Sequence, residues 1–336
     1  MIRIEQLTKQ YGGTTVVDDV SMEVGRGEVA IIVGTSGSGK STLLRMINRL
    51  VEPTRGRVFI DGRDTREEPA HLLRRRIGYA IQSHGLFPHR HVFDNIATVP
   101  RLLGWEESRI RARVHDLLEV FQLDPAQFAQ MFPHQLSGGQ QQRVGVARAL
   151  AAEPAVLLMD EPFGALDPII RGKAQDDLLA IQRRFGTTIV LVTHDMDEAF
   201  RLGSRVAVMS QAKLLQYCAP AELLRQPRNE LVARMTGLAD RALRLMSLTR
   251  AGDAAGRAAD APAKERAEAF APEGGRAAGV APVSIAPVRV AADANLRDVL
   301  SELVWRGATQ AQVIRDDGQV LGTLSLGGLL AYGRSG

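Results

Sequence analysis

The fold is decided by one stretch near the N-terminus, Gly34-Thr35-Ser36-Gly37-Ser38-Gly39-Lys40-Ser41-Thr42. Residues 28–33, just before it, have the pattern of a short buried strand, and residues 41–50 have that of a helix. Glycines at a strand-to-helix junction let backbone N–H groups curl around an anion at the positive helix N-terminus. The stretch therefore predicts a phosphate-binding loop. The alternative is a glycine turn beside a surface lysine.

The side chains of this loop have separate roles in the prediction. Lys40 is placed to reach the β- and γ-phosphates of a nucleotide, and Ser41 offers a hydroxyl to Mg²⁺. The residues predicted to bind the nucleotide are Gly34, Ser36, Gly37, Gly39, Lys40, Ser41 and Thr42.

Two carboxylates follow a second apolar run, residues 156–159. Asp160, at the end of the predicted strand, is placed to hold Mg²⁺ through water. Glu161 is placed to polarise the attacking water, because a carboxylate beside the γ-phosphate need only accept and orient a proton. Two acidic residues after a strand are more often a solvated turn. Their position downstream of a phosphate-binding loop favours the catalytic interpretation.

The order of elements predicts an α/β fold. The apolar runs at residues 156–159, 188–192 and 205–209 are rich in Val, Ile and Leu, which is typical of parallel strands covered on both faces. Residues 92–151 instead carry apolar side chains at helical spacing, so we expect a mostly helical insertion there.

Composition and charge argue against several classes of protein. The apolar runs are far shorter than the ~18 residues that cross a bilayer, and no secretory signal is visible, so we expect a cytoplasmic chain. A net charge of +4, from 42 cations and 38 anions, is too weak to indicate a nucleic-acid partner. The single cysteine, Cys218, excludes an internal disulfide and a cysteine-based zinc site.

The amino-acid composition of the chain changes after residue 250. Residues 251–282 are mostly Ala, Gly or Pro, and we expect no sheet there. Order returns near Ile285, where the pattern predicts a small α+β module of order β-α-β-β-α. Asn295 or Asp293 is placed to cap its first helix, and Asp316-Asp317-Gly318 predicts the turn between its last two strands.

Leu136-Ser137-Gly138-Gly139-Gln140 is identical to the signature sequence of ATP-binding-cassette (ABC) ATPases, and it lies between the phosphate-binding loop and the Asp-Glu pair, in that family's order. The chain resembles the family over residues 1–240. The resemblance implies a P-loop NTPase (RecA-like) core with a helical subdomain at about 92–151, and hydrolysis of ATP with Mg²⁺.

The resemblance also assigns residues by their position in the motif order. Tyr11 resembles the aromatic residue that stacks on adenine. Gln82 resembles the glutamine that senses the γ-phosphate, contacts the membrane partner and completes the Mg²⁺ site. Asp167 resembles part of the loop joining two ATP sites, and His194 resembles the switch histidine. The resemblance thus implies Glu161, His194 and Gln82 as the catalytic residues. Taken singly, a tyrosine is usually a packing residue and a histidine a satisfied core or surface residue.

Family geometry implies a head-to-tail homodimer. ATP held by Lys40 of one chain would meet Ser137 and the helix N-terminus of the other. The signature residues implied to contact that ATP are Ser137, Gly138, Gly139 and Gln140.

A closer resemblance covers residues 81–89 and 95–100, which look like the ATPase subunits of osmoprotectant importers for glycine betaine, choline, proline betaine and related quaternary amines. It implies permease subunits, an extracytoplasmic substrate-binding protein, and a peripheral location on the cytoplasmic face of the bacterial inner membrane, without nucleic acid. A metal cluster of His84, His89 and His91 is the alternative, but no carboxylate or thiol arrangement supports it.

Residues 285–336 resemble a single CBS motif. Residues 241–284 would then be a linker or a degenerate first motif. The module either pairs with its counterpart in a second subunit or merely folds. Three other functions stay open: import of another polar solute such as an amino acid, a soluble ABC ATPase in translation or DNA repair, and a nucleotide sensor with an ATPase attached.

Overall fold

The computed structural model describes residues 1–81, 85–164, 166–237, 240–260 and 288–334. The chain divides into two compact units, Met1–Pro220 and Ala221–Gly336. Each unit has its own core, as expected for a chain of this length.

The first unit contains an antiparallel sheet of order β2-β1-β4-β5. Its strands are β1 (Ile2–Tyr11), β2 (Thr14–Val24), β4 (Arg55–Ile60) and β5 (Arg63–Asp64). Ile2 and Ile4 of β1 are buried while Arg3 between them is exposed, which is the alternation of a sheet with one covered face.

A second sheet of the same unit has the order β10-β9-β3-β8-β7-β6. Its strands are β3 (Val29–Gly34), β6 (Ile77–Ala80), β7 (Val156–Asp160), β8 (Thr188–Thr193), β9 (Arg205–Ser210) and β10 (Lys213–Cys218). All its neighbouring strands run parallel except β10, which pairs antiparallel with β9. Every residue of β3, β7 and β8 is buried, as the apolar runs predict for strands covered on both faces. The α/β prediction is confirmed.

Helices connect and flank these sheets. They are α1 (Lys40–Ile47), α2 (Ala70–Arg75), α3 (Val92–Leu102), α4 (Glu107–Val120), α5 (Pro125–Phe128), α6 (Gly138–Leu150), α7 (Pro168–Phe185) and α8 (Met196–Leu202), with 3₁₀ turns at Thr65–Glu67 and Pro133–Gln135. Helices α3 to α6 lie in the stretch where helical spacing predicts an insertion. In α4, the buried residues Ile110, Val114, Leu117 and Leu118 form one apolar face.

The second unit is built around a three-stranded sheet of order β11-β12-β13. From residue 220 onward the elements are α9 (Pro220–Arg225), α10 (Glu230–Met235), α11 (Arg241–Ser247), α12 (Ala251–Asp260), β11 (Val288–Ala291), α13 (Leu296–Arg306), β12 (Gln310–Ile314), β13 (Val320–Ser325) and α14 (Leu326–Arg334). Strand β11 pairs parallel with β12, and β12 pairs antiparallel with β13. From β11 to α14 the order is β-α-β-β-α, as predicted, and Asn295 caps α13 by accepting the N–H of Asp298.

The structure differs from the predicted boundaries at this junction. The second unit starts at Ala221 instead of after residue 240, and residues 241–260, which the sequence places in a linker or degenerate motif, form α11 and α12. Ala251 and Ala255 of α12 are buried in the same core as β11 to β13. An alanine-rich segment has no residues for a sheet, but it forms helix readily and its small side chains allow close packing. Residues 261–287 lie outside the described part of the chain.

We expect Ala255→Leu to destabilise this second unit by about 1–3 kcal/mol, because a larger side chain there has no room. Ala255 packs against Gly322 of β13, where a Cβ on the glycine would lie 3.2 Å from that of Ala255. Faster hydrogen exchange of the β12 and β13 amides would report the change. The matched substitution Ala331→Leu, at an exposed position of α14, should leave exchange unaltered. Unaltered exchange in both variants would mean that α12 does not pack on the sheet.

Candidate functional site

The site is built where parallel strands end side by side. β3, β8 and β7 are neighbours in the sheet, so their carboxyl ends lie at one edge. The residues that follow them are the phosphate-binding loop after β3, His194 after β8, and Glu161 after β7. Three segments that are distant in the sequence therefore meet at this edge.

The loop after β3 turns sharply into α1. Gly39 precedes the helix with φ of 94°, and Gly37 has φ of 75°, so both occupy the left-handed region that favours glycine. A Cβ on Gly39 would lie 2.1 Å from the carbonyl oxygen of Val16, whereas Gly37 has no atom within 4 Å of that position. Ser36 is exposed beside Gly37. One side of the loop is therefore packed on the protein and the other is open.

We expect Gly39→Ala to lower the free energy of unfolding by about 1–3 kcal/mol, through contact of the new Cβ with backbone and through left-handed strain. Urea unfolding of the full chain measures it. Gly37→Ala is the matched control, since it carries a comparable positive φ but meets no neighbour. Equal losses in both variants would show that strain alone, and not the close approach to β2, sets the requirement for glycine.

Lys40 lies across the inside of this loop. Its side chain is only 7% exposed, and its Nζ donates hydrogen bonds of 2.9 Å to the carbonyl oxygens of Gly34 and Thr35. Burial lowers the pKa of Lys40, while the nearby carboxylates of Glu161 and Asp160 oppose that shift. The ammonium group is thus held at the loop by neutral acceptors, which a phosphate oxygen can replace.

A hydroxyl and a carboxylate meet beneath the loop. Ser41 Oγ donates to Asp160 Oδ1 at 2.8 Å, and Asp160 is 3% exposed. Oxygen atoms of this kind are the ligands that Mg²⁺ prefers, together with water and phosphate oxygens, so the pair fits the metal. Thr42, the last predicted nucleotide contact, lies next to Ser41 in the first turn of α1. Gln82, the third predicted Mg²⁺ ligand, lies outside the described residues.

Two further residues at the loop were not singled out from the sequence. Ser38 is 2% exposed and its Oγ has no hydrogen-bond partner among the described residues. A buried hydroxyl without a partner fits a loop that a further polar group, such as a phosphate, completes. Arg45, one turn into α1, places its Nη2 3.4 Å from Asp160 Oδ2. The position of Ser38 inside the loop motif could have drawn attention to it, whereas nothing local distinguishes Arg45.

Glu161 and His194 face each other at the open edge. Glu161 Oε1 lies 3.5 Å from His194 Nδ1, and the imidazole is 65% exposed. The backbone of Glu161 has φ of 46°, an uncommon conformation for a residue with a side chain, and its N–H donates to the carbonyl oxygen of Val192 at 2.9 Å. Such backbone strain is concentrated at functional sites.

The signature sequence begins α6. Ser137 Oγ accepts the N–H of Gln140 at 3.3 Å, and Gln140 Oε1 accepts the N–H of Ser137 at 2.9 Å, which is a capping box. Ser137 and Gly138 are exposed, so this helix N-terminus, with Gly139 in its first turn, is accessible. No hydrogen bond or ion pair between described residues joins residues 137–140 to the phosphate-binding loop.

The remaining predicted residues are either exposed or packed on a neighbouring ring. Tyr11, at the end of β1, is 50% exposed, and Lys9 Nζ lies 4.7 Å from the centroid of its ring. Asp167 is exposed, and its carbonyl oxygen accepts the N–H of Arg171. His91 packs on Phe132, with ring centroids 4.2 Å apart.

The described part of the chain has neither a cluster of metal-binding side chains nor a membrane-spanning helix. It contains no group of three or more His, Cys, Asp or Glu side chains that could hold a metal ion. No helix within it is long and apolar enough to cross a membrane.

Comparisons with known proteins agree with this geometry. The family model described as ABC transporter matches residues 17–164. The chain is 44% identical over 330 residues to the glycine betaine uptake system ATP-binding protein YehX of Escherichia coli K12, covering 98% of this chain and 99% of the relative. It is 39% identical over 371 residues to the osmoprotectant import ATP-binding protein OsmV of Salmonella typhimurium, covering 100% and 97%.

Solved structures are similar to about two thirds of this chain. A dimeric bacterial ABC transporter cassette aligns with a TM-score of 0.60 at 34% identity, covering 66% of this chain and 99% of the cassette. A dimeric cassette in a post-hydrolysis state, bound to ADP and Pi, aligns with a TM-score of 0.59 at 33% identity, with the same coverage.

Proposed function

Because this chain belongs to the ATP-binding subunits of ABC transporters, we propose that it drives the uptake of an osmoprotectant such as glycine betaine, choline or proline betaine. Family membership makes it an ATPase that binds ATP. The observation that carries the substrate class is the match along nearly the whole chain, including the second unit, to proteins named for glycine betaine uptake and osmoprotectant import.

Binding of the nucleotide is assigned to the loop after β3. The open side at Gly37 admits the phosphates, while backbone N–H groups and the N-terminus of α1 supply positive potential. Lys40 exchanges its two carbonyl acceptors for phosphate oxygens, which gains charge-assisted hydrogen bonds. Tyr11 offers an exposed ring for stacking on the adenine.

Hydrolysis is assigned to the two carboxylates at the end of β7, Asp160 and Glu161. Ser41 and Asp160 would hold Mg²⁺, with Gln82 as a further ligand, and the metal would neutralise charge that develops on the β- and γ-phosphate oxygens. Glu161 accepts a hydrogen bond from the attacking water and takes up its proton. We assign to His194, whose Nδ1 lies 3.5 Å from Glu161 Oε1, the roles of orienting that carboxylate and contacting the γ-phosphate.

We propose that the signature residues of a second copy of this chain complete the site. The signature residues make no polar contact with the phosphate-binding loop of their own chain within the described residues, and their helix N-terminus is exposed. In a head-to-tail homodimer, that N-terminus would face the γ-phosphate held by the other copy. Similarity to a dimeric cassette supports this arrangement.

The remaining partners complete the proposed transporter. Permease subunits would provide the path through the membrane, an extracytoplasmic binding protein would deliver the solute, and this chain would sit on the cytoplasmic face of the inner membrane. The β-α-β-β-α order of residues 288–334 supports a single CBS-like module. We propose that it pairs with its counterpart in the second ATPase subunit.

Uptake of labelled glycine betaine and choline, with and without osmotic upshift, tests the proposal in cells that rely on this transporter. We expect uptake with the wild-type chain and with Glu153→Gln, a control at an exposed carboxylate that pairs with Arg109. We expect none with Glu161→Gln. Equal uptake with the wild-type chain and with Glu161→Gln would contradict osmoprotectant uptake as the function of this chain. The ATPase assignment would then be tested by other measurements.

A further inference from the structure

One face of α7 holds the loop that carries His194. Arg171 and Gln175 lie four residues apart and so on the same side of this helix. Arg171 Nη1 lies 3.5 Å from Asp195 Oδ2, and Gln175 Nε2 donates to Glu198 Oε1 at 3.2 Å. Both acidic residues belong to the segment that follows His194. The helix thus contacts this segment at two points one turn apart.

The segment itself is tightly hydrogen-bonded on either side of the histidine. Thr193 Oγ1 donates to Glu198 Oε2 at 2.6 Å and accepts the N–H of Asp195 at 3.1 Å. Asp195 Oδ1 accepts the N–H of Asp197 at 2.8 Å and thereby caps α8. His194 is therefore an exposed side chain on a backbone whose neighbours are both held. A displacement of Asp195 would displace His194 with it.

The same guanidinium group also contacts the loop that precedes α7. Arg171 Nη2 donates to the carbonyl oxygen of Leu166 at 3.0 Å, and its backbone N–H donates to the carbonyl oxygen of Asp167 at 2.8 Å. The side chain thus bridges the carbonyl oxygen of Leu166 and the carboxylate next to His194, while the bond to Asp167 is an ordinary backbone bond at the start of α7. The planar fork of an arginine can hold two acceptors in fixed relative positions, which a lysine cannot do.

The contacts of Arg171 are not all favourable for the stability of the fold. Its Nε is buried without an acceptor among the described residues, and an unpaired buried donor is unfavourable. The ion pair with Asp195 is partly exposed, which screens the attraction. Departures from local optimality of this kind are expected where a residue serves the reaction.

We propose that Arg171 is a positioning residue for ATP hydrolysis, which links the loop at residues 166–167 to His194 and, through it, to Glu161. In the proposed dimer the loop at 166–167 faces the other ATP site, so a shift of this loop would reach the histidine through one guanidinium group. Disruption of the link should misplace His194, which slows turnover without weakening ATP binding. The inference rests on the proposed roles of Glu161 and His194.

Steady-state ATP hydrolysis by the purified full chain tests this link. In Arg171→Met we expect kcat to fall about tenfold or more, with KM for ATP unchanged within about twofold. Arg201→Met is the matched control: its guanidinium also joins α8 to α7, at 2.7 Å from Asp176 Oδ1, but it contacts neither loop. Unchanged kcat in Arg171→Met, or an equal fall in Arg201→Met, would overturn the proposal.

Asp195→Asn distinguishes coupling from general damage. Asparagine retains the helix cap but removes the charge that Arg171 faces. We expect kcat to fall in this variant too, and the double variant to be no slower than the slower single variant, because both substitutions break one link. Losses that multiply would contradict the coupling. If Glu161→Gln leaves hydrolysis unchanged, the proposed function itself is contradicted. If Glu161→Gln slows hydrolysis but the Arg171 and Asp195 variants do not, only the inference about Arg171 is contradicted.

Discussion

Glu161→Gln is expected to lower kcat for ATP hydrolysis by about 10²–10⁴-fold, the usual contribution of a general base, while ATP binding is retained. Glutamine has nearly the same shape as glutamate but cannot take up the proton of the attacking water. Glu161 directly follows β7, and its Oε1 lies 3.5 Å from His194 Nδ1. Phosphate release measures turnover, and a fluorescent ATP analogue measures binding.

The same variant should accumulate as a dimer when ATP is present. If ATP bridges two copies and hydrolysis is what separates them, a chain that binds without hydrolysing remains associated. Size-exclusion chromatography with light scattering reports the oligomeric state. Glu153→Gln, on the surface, should remain as active as the wild type and should not accumulate as a dimer. Normal turnover in Glu161→Gln would remove the residue from the proposed role.

Lys40→Ala is expected to weaken ATP binding by about 10²–10³-fold. The ammonium group is buried and already oriented by two carbonyl oxygens at the loop, so its contacts with phosphate are charge-assisted hydrogen bonds made with little loss of side-chain freedom. Loss of these contacts lowers the binding free energy of ATP by about 3–4 kcal/mol, which corresponds to the roughly 10²–10³-fold loss of affinity. Isothermal titration with ATP measures it directly.

Lys213→Ala is the matched control for that experiment. Lys213 is an exposed lysine of β10 whose Nζ lies 3.6 Å from Asp18 Oδ2, and no hydrogen bond or ion pair between described residues joins it to the loop. Its removal should leave ATP affinity unchanged, because exposed ion pairs contribute little. Equal affinity of the Lys40→Ala variant and the wild type would mean that phosphates do not enter the loop after β3.

Local spacing made much of the site predictable. The phosphate-binding loop depends on glycines within a few residues of each other, and their left-handed conformations at Gly37 and Gly39 are properties of the loop itself. The capping box of Ser137 and Gln140 is likewise a short-range pattern. The helical insertion followed from the spacing of apolar residues in α4.

In the second unit, the local composition did not predict the structure of residues 251–260. Ala, Gly and Pro richness correctly argues against a sheet in residues 251–260, but it could not decide between a linker and a helix packed on a core. Residues 251–260 form a helix that packs on β13, where Gly322 leaves room for Ala255. Packing partners of this kind lie far along the chain and leave no mark on the local pattern.

The sequence by itself determined the fold class, the phosphate-binding loop, the strand that ends in two carboxylates and the exposed helix N-terminus, because each depends on neighbours within a few positions. The tertiary structure decided which of these parts meet. Ser41 contacts Asp160 across 119 positions, and Arg171 joins two loops, because parallel strands connected by crossovers bring their carboxyl ends to one edge. Contacts across that edge depend on strand order, which no local pattern of residues specifies.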